Sequence, residues 1–196
     1  EWRPTDSQCG MFATTKLLMH YGVKFSYSEN CALDSDILVH GLQDFLAAAN
    51  VVKAFRALRI ARSSSRPKEF LSVMVNESEL LEKYDIEIVP GEPTVILDMV
   101  DQILAGEKDR MEALLQDLVD AGLDISRLGE KRYPLAAIEL ALMDFAEDNC
   151  CNAISCECWN LFRVKYGVSP CFILGDLNDR GIPAACENDV HAAITS

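Results

Sequence analysis

One carboxylate near the end of the chain stands where a buried strand should meet a helix, which makes it the residue best placed for chemistry. Residues Ile182–Cys186 form an apolar run typical of the short strands inside parallel sheets. Glu187 follows directly, and Asn188 and Asp189 can cap a helix that begins at Val190. Open α/β sheets bind their ligands in such strand-to-helix crevices. A carboxylate held there can ligate a hard metal ion or act as a proton-transferring base.

A purely structural role for Glu187 is the alternative interpretation, because a carboxylate at a helix start is stabilised by the helix dipole. His191 could ligate a metal, but a single histidine beyond a capping residue is more often a surface group. The sequence contains no pattern typical of a nucleophile elbow, a Walker loop or a dinucleotide-binding turn.

The elements that must position Glu187 alternate between helix and strand, which predicts a parallel sheet with crossover helices. We expect an α/β fold with an open, Rossmann-like (doubly wound) parallel sheet flanked by helices, preceded by a partial α/β domain. A boundary near Leu58 divides the chain into residues 1–57 and 58–196. The expected helices are 10–21, 34–61, 77–84, 93–105, 107–122, 134–148, 160–166 and 169–179, and the expected strands are 23–27, 86–89, 153–156 and 182–186.

Composition and charge limit the classes of function. The chain has 196 residues, of which 49% are hydrophobic, and such a chain can bury a substantial core. Its formal net charge of -13 argues against nucleic acid or an anionic membrane as a partner. No apolar run approaches the roughly 20 residues that span a bilayer. We therefore expect a soluble, cytoplasmic protein.

Eight cysteines could indicate disulfides or zinc. Their spacing lacks the paired Cys-x-x-Cys knuckles of a structural zinc site, and a chain of this size does not need disulfides to be stable. The sequence therefore favours buried, reduced thiols packed as small hydrophobic side chains.

A set of motifs in the last third of the chain resembles the L-fucose/L-arabinose isomerase superfamily in both order and spacing. Weaker similarity extends backward to the start of the chain through an alanine-rich helix at 45–58, a short strand, an Arg66-Pro67 loop and residues 80–89. The triplet Ser63-Ser64-Ser65 departs from the family, which usually has a glycine there. The motifs are Cys156-Glu157-Cys158-Trp159, Gly167-Val168-Ser169-Pro170-Cys171, Leu174-Gly175-Asp176-Leu177-Asn178-Asp179-Arg180 and Cys186-Glu187-Asn188-Asp189.

The resemblance implies a metal-dependent sugar isomerase that interconverts an aldose and a ketose through a cis-enediol. Glu187 matches the family position that serves as metal ligand and as catalytic acid/base. The implied cofactor is Mn²⁺ or another divalent cation, for which oxygen ligands are suitable.

The resemblance also implies that Glu157, Trp159 and Arg66 bind the substrate. Glu157 and Trp159 follow the strand at Ile154, in a region where relatives contact the sugar, and Arg66 lies in the Arg66-Pro67 loop that matches the family. We expect Asn188 and Asp189 to cap the helix and to orient Glu187. A tryptophan after a strand is more often a core residue.

The resemblance also covers only part of such an enzyme, because the family's second acidic ligand and a later histidine do not occur in this chain. We expect this chain alone to be inactive and to bind the metal weakly or not at all. Relatives form hexamers, which implies a homo-oligomer acting on a monosaccharide. A non-catalytic sugar-binding or oligomerisation α/β module remains the alternative.

Overall fold

The computed structural model describes residues 7–196, and the chain divides into two units, Glu1–Ala54 and Phe55–Ser196. The first unit contains helix α1 (Ser7–His20) and helix α2 (Asp36–Phe55), which runs up to the boundary. Gly22 follows α1 with a φ of +66°, and its N–H donates to the carbonyl of Met19, so the glycine ends the helix close to the predicted last residue, 21.

The predicted strand at residues 23–27 is wrong, because this segment is irregular in the structure. A strand is stable only when another strand pairs with it, and residues 7–54 contain no second strand. Helix α2 has no buried residue in the described chain, although its sequence is apolar. The expected α/β character of this first unit is therefore not seen in residues 7–54.

The second unit is built on a four-stranded parallel sheet, which confirms the predicted fold class. Its strand order is β2-β1-β3-β4. Ala61, Ile154 and Ala184 stand side by side across β1, β3 and β4. The strands are β1 (Arg59–Arg62), β2 (Glu87–Pro90), β3 (Ala153–Cys156) and β4 (Ala184–Cys186).

The prediction of one helix over residues 34–61 is wrong at its end, where the structure has strand β1. Helix α2 ends at Phe55, and β1 pairs with β2 on one side and β3 on the other. Ile60 is completely buried in this central strand. The spacing of apolar residues predicted a helix, but pairing with two strands from distant parts of the chain decides the conformation.

The helices of the second unit begin and end close to the predicted residues. Asn76 caps the first of them, since its side chain accepts the N–H of Glu79 at 3.2 Å, while the Glu79 side chain pairs with Lys83. Two short 3₁₀ helices lie at Leu71–Val73 and Ser126–Lys131. The α-helices are α3 (Glu77–Tyr84), α4 (Pro93–Gly106), α5 (Lys108–Asp120), α6 (Arg132–Asp148), α7 (Leu161–Tyr166), α8 (Cys171–Asp179) and α9 (Val190–Thr195).

Two apolar layers cover the sheet, one on each face. Helices α4, α5, α6 and α8 form the larger core with Ala61 and Ile154, while α3 and α9 form the smaller one with Ile60 and Ala153. Because neighbouring residues of a strand point to opposite faces, this division is that of a doubly wound sheet. No helix within residues 7–196 is long and apolar enough to cross a membrane.

The prediction that the cysteines are buried, reduced thiols is confirmed for only some of them. All eight cysteines are free, as predicted, and Cys156 and Cys158 are buried. Cys186 was expected inside a fully buried strand but is exposed; it is the last residue of β4, whereas Ala184 and Ala185 before it are buried. Three others are exposed as well: Cys9, Cys150 and Cys171.

Candidate functional site at the carboxyl ends of the strands

The candidate site lies where the connections leaving β1 and β3 diverge to opposite sides of the sheet. The chain passes from β1 to its outer neighbour β2, and from β3 to β4 on the other side. Such a divergence opens a crevice beyond the carboxyl ends of the strands, where α/β proteins bind ligands. The loop after β1, the loop after β3 and the turn after β4 therefore meet at one end of the sheet.

Buried hydrogen bonds fasten these three segments together. The hydroxyl of Ser63 accepts the N–H of Glu157 at 3.0 Å, and the N–H of Asn188 donates to the carbonyl of Cys156 at 3.1 Å. The side-chain amide of Asn188 donates to the carbonyl and the hydroxyl of Ser64 at 3.0 and 3.2 Å. Asn188 is only 2% exposed, so these bonds hold the end of β4 against the loop after β1.

The capping prediction is confirmed for Asp189 and wrong for Asn188. Asp189 is the N-cap of α9, and its side chain accepts the N–H of Ala192 at 3.0 Å. Asn188 has a φ of +57° and turns its side chain toward Ser64 instead. Asparagine tolerates this left-handed conformation better than most residues. That Asn188 and Asp189 orient Glu187 stays a prediction.

Glu187 stands at this junction, half-buried, with its two carboxylate oxygens in different surroundings. The thiol of Cys158 donates to Oε1 at 2.6 Å. Burial raises the pKa of Cys158 above its ordinary range, and its hydrogen bonds to Glu187 and Cys171 raise it further, so the thiol keeps its proton. The second oxygen, Oε2, is buried and has no hydrogen-bond partner in residues 7–196. An unpartnered buried carboxylate oxygen is costly unless a ligand or water completes it.

Cys158 and Cys186 lie beside Glu187, Cys171 lies beside Cys158, and we call these three cysteines the thiol cluster. Cys171 is the first residue of α8, and its sulfur lies 3.3 Å from that of Cys158. The ligand atoms of Cys158, Cys186 and Glu187 all lie within 4.8 Å of one another, the one such group of potential metal ligands found among the described residues. Burial raises the pKa of Cys186 above its ordinary value. Sequence spacing gave no sign of this cluster.

Manganese, the cofactor implied by the family resemblance, fits this donor set in part. The free Oε2 of Glu187 is the kind of oxygen that Mn²⁺ prefers. The thiol cluster offers sulfur, which Mn²⁺ does not prefer to oxygen. Glu187 therefore supplies the carboxylate oxygen at this junction that suits a hard cation, and the side-chain oxygen of Asn188 is likewise buried without a hydrogen-bond partner among the described residues.

Glu157, predicted to bind substrate, has both carboxylate oxygens engaged by backbone. Oε1 accepts the N–H groups of Trp159 and Asn160 at 3.0 and 2.8 Å, and Oε2 accepts that of Leu161 at 2.9 Å. The side chain is 4% exposed. These bonds satisfy the free N–H groups at the start of α7. A sugar hydroxyl would have to share these oxygens, and substrate binding by Glu157 stays a prediction.

Trp159 lies at the surface, 44% exposed, and its ring stacks on Phe70 with centroids 5.1 Å apart and planes 20° apart. The Arg66 guanidinium folds back onto its own loop and donates to the carbonyls of Pro67 and Lys68. The loop borders an open cleft of about 650 Å³ between the segments after β1 and β3. Its lining consists of Ser64, Ser65, Arg66, Pro67, Lys68, Glu69, Pro93, Leu97, Glu157, Asn160, Leu161, Val164 and Lys165.

His191 lies away from this junction. It borders a different cleft of about 540 Å³ beside α3, together with Tyr84, Ile86 and Ile194. The structure therefore gives no support to His191 as a partner of Glu187 in holding a metal.

The comparison with known proteins points to sugar isomerases. Residues 1–56 match the family described as fucose/sulfoquinovose isomerase, N-terminal domain. The sulfoquinovose isomerase of Clostridium sp. (strain MSTE9) is 27% identical over 165 residues, which is 84% of this chain and 36% of the relative. The sulfoquinovose isomerases of Priestia aryabhattai and Priestia megaterium (strain ATCC 12872 / QMB1551) are each 24% identical over 152 residues, 74% of this chain and 32% of theirs.

These matches confirm the resemblance to the L-fucose isomerase-like superfamily that the motifs indicated. The relatives are sugar isomerases that act on sulfoquinovose by name. The chain spans about a third of the length of the curated relatives it matches.

Proposed function

We propose that this chain is part of a metal-dependent sugar isomerase that interconverts an aldose and a ketose through a cis-enediol. The observation that supports the proposal most strongly is Glu187. It stands at the carboxyl end of β4, in the crevice formed by the divergence of β1 and β3, with one buried oxygen that no other described group contacts. The similarity to sulfoquinovose isomerases supports the same reaction class.

Glu187 acts as the acid/base in this proposal. The reaction moves a proton between two adjacent carbons of the sugar, and no other reactant is consumed. Oε2 of Glu187 accepts the proton from the carbon next to the carbonyl and returns it to the neighbouring carbon. The thiol of Cys158 holds Oε1, which fixes the carboxylate plane and leaves Oε2 for the substrate or the cation. Positioning of this kind contributes a large part of the rate enhancement.

The divalent cation would be held through Glu187 and, when bound, supplies positive charge beside the sugar oxygen on which negative charge develops. We propose that the hydrogen bonds of the neighbouring residue hold Glu187 in a fixed position. Asn188, the next residue, is fastened to Ser64 and to Cys156, so the backbone that carries the carboxylate has little freedom.

The names of the relatives make sulfoquinovose, a sugar with a sulfonate group, the first candidate substrate for this protein. The cleft beside the junction is bordered by Arg66, Lys68 and Lys165, and cationic groups attract a sulfonate. Lys165 pairs closely with Asp101, whereas the Lys68 side chain is exposed and lies 3.8 Å from Glu69 in a weaker, solvent-exposed ion pair. We therefore propose that the Lys68 side of the cleft faces the sulfonate. The other candidate substrates are L-fucose, D-arabinose, L-arabinose and D-galactose.

The decisive experiment compares Glu187→Gln with the unmodified complete enzyme. The amide keeps the shape of the side chain but loses its charge and basicity, so we expect Mn²⁺ affinity and ketose formation both to fall, turnover by about 100-fold or more. Isothermal titration and a ketose assay with each of the five sugars measure the two effects. Glu147→Gln, an exposed change at the end of α6, is the control. Unchanged turnover in Glu187→Gln would refute the catalytic role.

A second proposal concerns assembly. Helix α2 exposes a series of apolar side chains, and such a surface is costly in water unless another surface covers it. We propose that a second copy of the protein does so, as expected from the family. Light scattering that finds a monomer at all concentrations would contradict it. The series includes Leu42, Phe45, Leu46, Val51 and Val52.

A further inference from the structure

Cys158, Cys186 and Glu187 bring three potential ligand atoms to one place on the molecule, and Cys171 lies next to Cys158. The sulfurs of Cys158 and Cys171 lie 3.3 Å apart, and Cys158 lies 2.6 Å from Oε1 of Glu187. Cys186 completes a group whose ligand atoms, with those of Cys158 and Glu187, fall within 4.8 Å. The four residues come from the loop after β3, the start of α8 and the end of β4.

These separations suit a four-coordinate cation. Zinc binds cysteine sulfur at about 2.3 Å in tetrahedral geometry, which places the ligand atoms of one ion roughly 3.5 to 3.8 Å apart. The separations of 2.6 Å and 3.3 Å are shorter than this value, and those among Cys158, Cys186 and Glu187 are at most 4.8 Å, so these three residues reach it with shifts of about 1 Å. They provide three protein ligands, and Cys171, whose sulfur lies next to that of Cys158 but outside the group, provides the fourth once its side chain turns toward the ion.

Two further observations favour a cation here. Oε2 of Glu187 is buried without a hydrogen-bond partner among the described residues, so the carboxylate has an unused acceptor at the cluster. Cys171 and Cys186 are exposed, which leaves a path for an ion to enter, while Cys158 forms the buried back of the site. Soft sulfur ligands select Zn²⁺, Cd²⁺ and similar ions over Mg²⁺ and Mn²⁺.

We propose that Cys158, Cys171, Cys186 and Glu187 form a binding site for one thiophilic divalent cation, such as Zn²⁺ or Cd²⁺. Binding replaces the S–H···O bond between Cys158 and Glu187 by bonds to the ion, and the three thiol protons pass to solvent. The site does not depend on the proposed isomerase activity. Because it shares Glu187 with the proposed manganese site, a bound thiophilic ion would exclude a hard cation from that carboxylate.

The test is an anaerobic titration of the 196-residue chain with Cd²⁺, followed by the ultraviolet absorption that cadmium–thiolate bonds produce. We expect one tightly bound Cd²⁺ per chain, retained in an excess of Mn²⁺ or Mg²⁺ and displaced by Zn²⁺. Cys171→Ser and Cys186→Ser change exposed residues and should leave the fold intact, which circular dichroism checks. Each should weaken binding by at least about tenfold, as even changes outside the ligand set commonly do at metal sites.

Cys150→Ser is the matched control, since Cys150 is also exposed and in the same unit but lies outside the thiol cluster. It should bind Cd²⁺ as the unmodified chain does. Equal binding by Cys150→Ser, Cys171→Ser and Cys186→Ser would overturn the proposal, as would weak binding at several sites without a defined stoichiometry. Because the readout is metal binding, it remains informative if the isomerase proposal fails.

Discussion

Replacing Glu139 by glutamine should remove a pH dependence from the stability of the second unit. Glu139 lies in α6 and is completely buried, and neither carboxylate oxygen has a hydrogen-bond partner in the described chain. Burial, and to a lesser extent the neighbouring Asp176, raises its pKa from the ordinary 4.5 to about 9. Nε of Arg180, 3.5 Å from Oε1, favours the charged form, but the effect of burial is larger.

The magnitude follows from the two pKa values. Between them, the folded state carries a proton on Glu139 that the unfolded state has lost. The free energy of unfolding therefore falls by about 1.4 kcal/mol for each pH unit as the pH rises. The contribution is complete below the unfolded value of 4.5 and is lost as the pH rises toward 9. The lowered pKa of Asp176 acts below its ordinary 3.8, so it does not contribute in this range.

Glutamine is neutral at every pH, so Glu139→Gln should lack this slope. From about pH 5.5 to about pH 7.5, the stability of the variant relative to the unmodified chain should rise by about 2.7 kcal/mol. Urea denaturation followed by circular dichroism at both pH values measures it. Glu147→Gln, an exposed change on the same helix, should leave the slope unchanged. Parallel pH dependence in Glu139→Gln and the unmodified chain would show that Glu139 is ionised and paired with Arg180, which would refute the reasoning.

Three further predictions concern the junction, the cysteines and the activity of this chain. Asn188→Ala should lower the free energy of unfolding by about 2 to 3 kcal/mol, because it leaves Ser64 without its buried donor and replaces asparagine, which tolerates the left-handed conformation, by alanine, which tolerates it less well; urea denaturation measures this, and Asn188→Gly, which is free of the backbone cost, should lose less. Thiol titration in denaturant with a chelator and without reductant should count eight free groups, and a lower count would reveal disulfides. The 196-residue chain alone, supplied with Mn²⁺, should form no ketose from any of the five sugars, because the group of potential metal ligands among the described residues contains a single carboxylate, Glu187, beside two thiols; robust activity would contradict the proposal that Glu187 is one part of a larger site.

The sequence by itself determined the order and type of most elements in the second unit. Apolar spacing located its helices to within a few residues, and local side chains such as Asn76 and Asp189 marked where two of them begin. It also placed Glu187 directly after a strand and before a helix. These features depend on residues within one or two turns of each other, so a local pattern contains the information needed to predict them.

Only the tertiary structure decided what Glu187 contacts and what is buried. Cys158 and Cys171 are 13 positions apart, and Asn188 reaches Ser64 across 124 positions, because the crossovers of a parallel sheet bring the strand ends together. Residues 59–62 continue a helical pattern, yet strands on both sides of them make β1. Cys186 is exposed at the end of β4, although the two residues before it are buried. Pairing partners and strand order depend on the whole chain, and no local spacing encodes them.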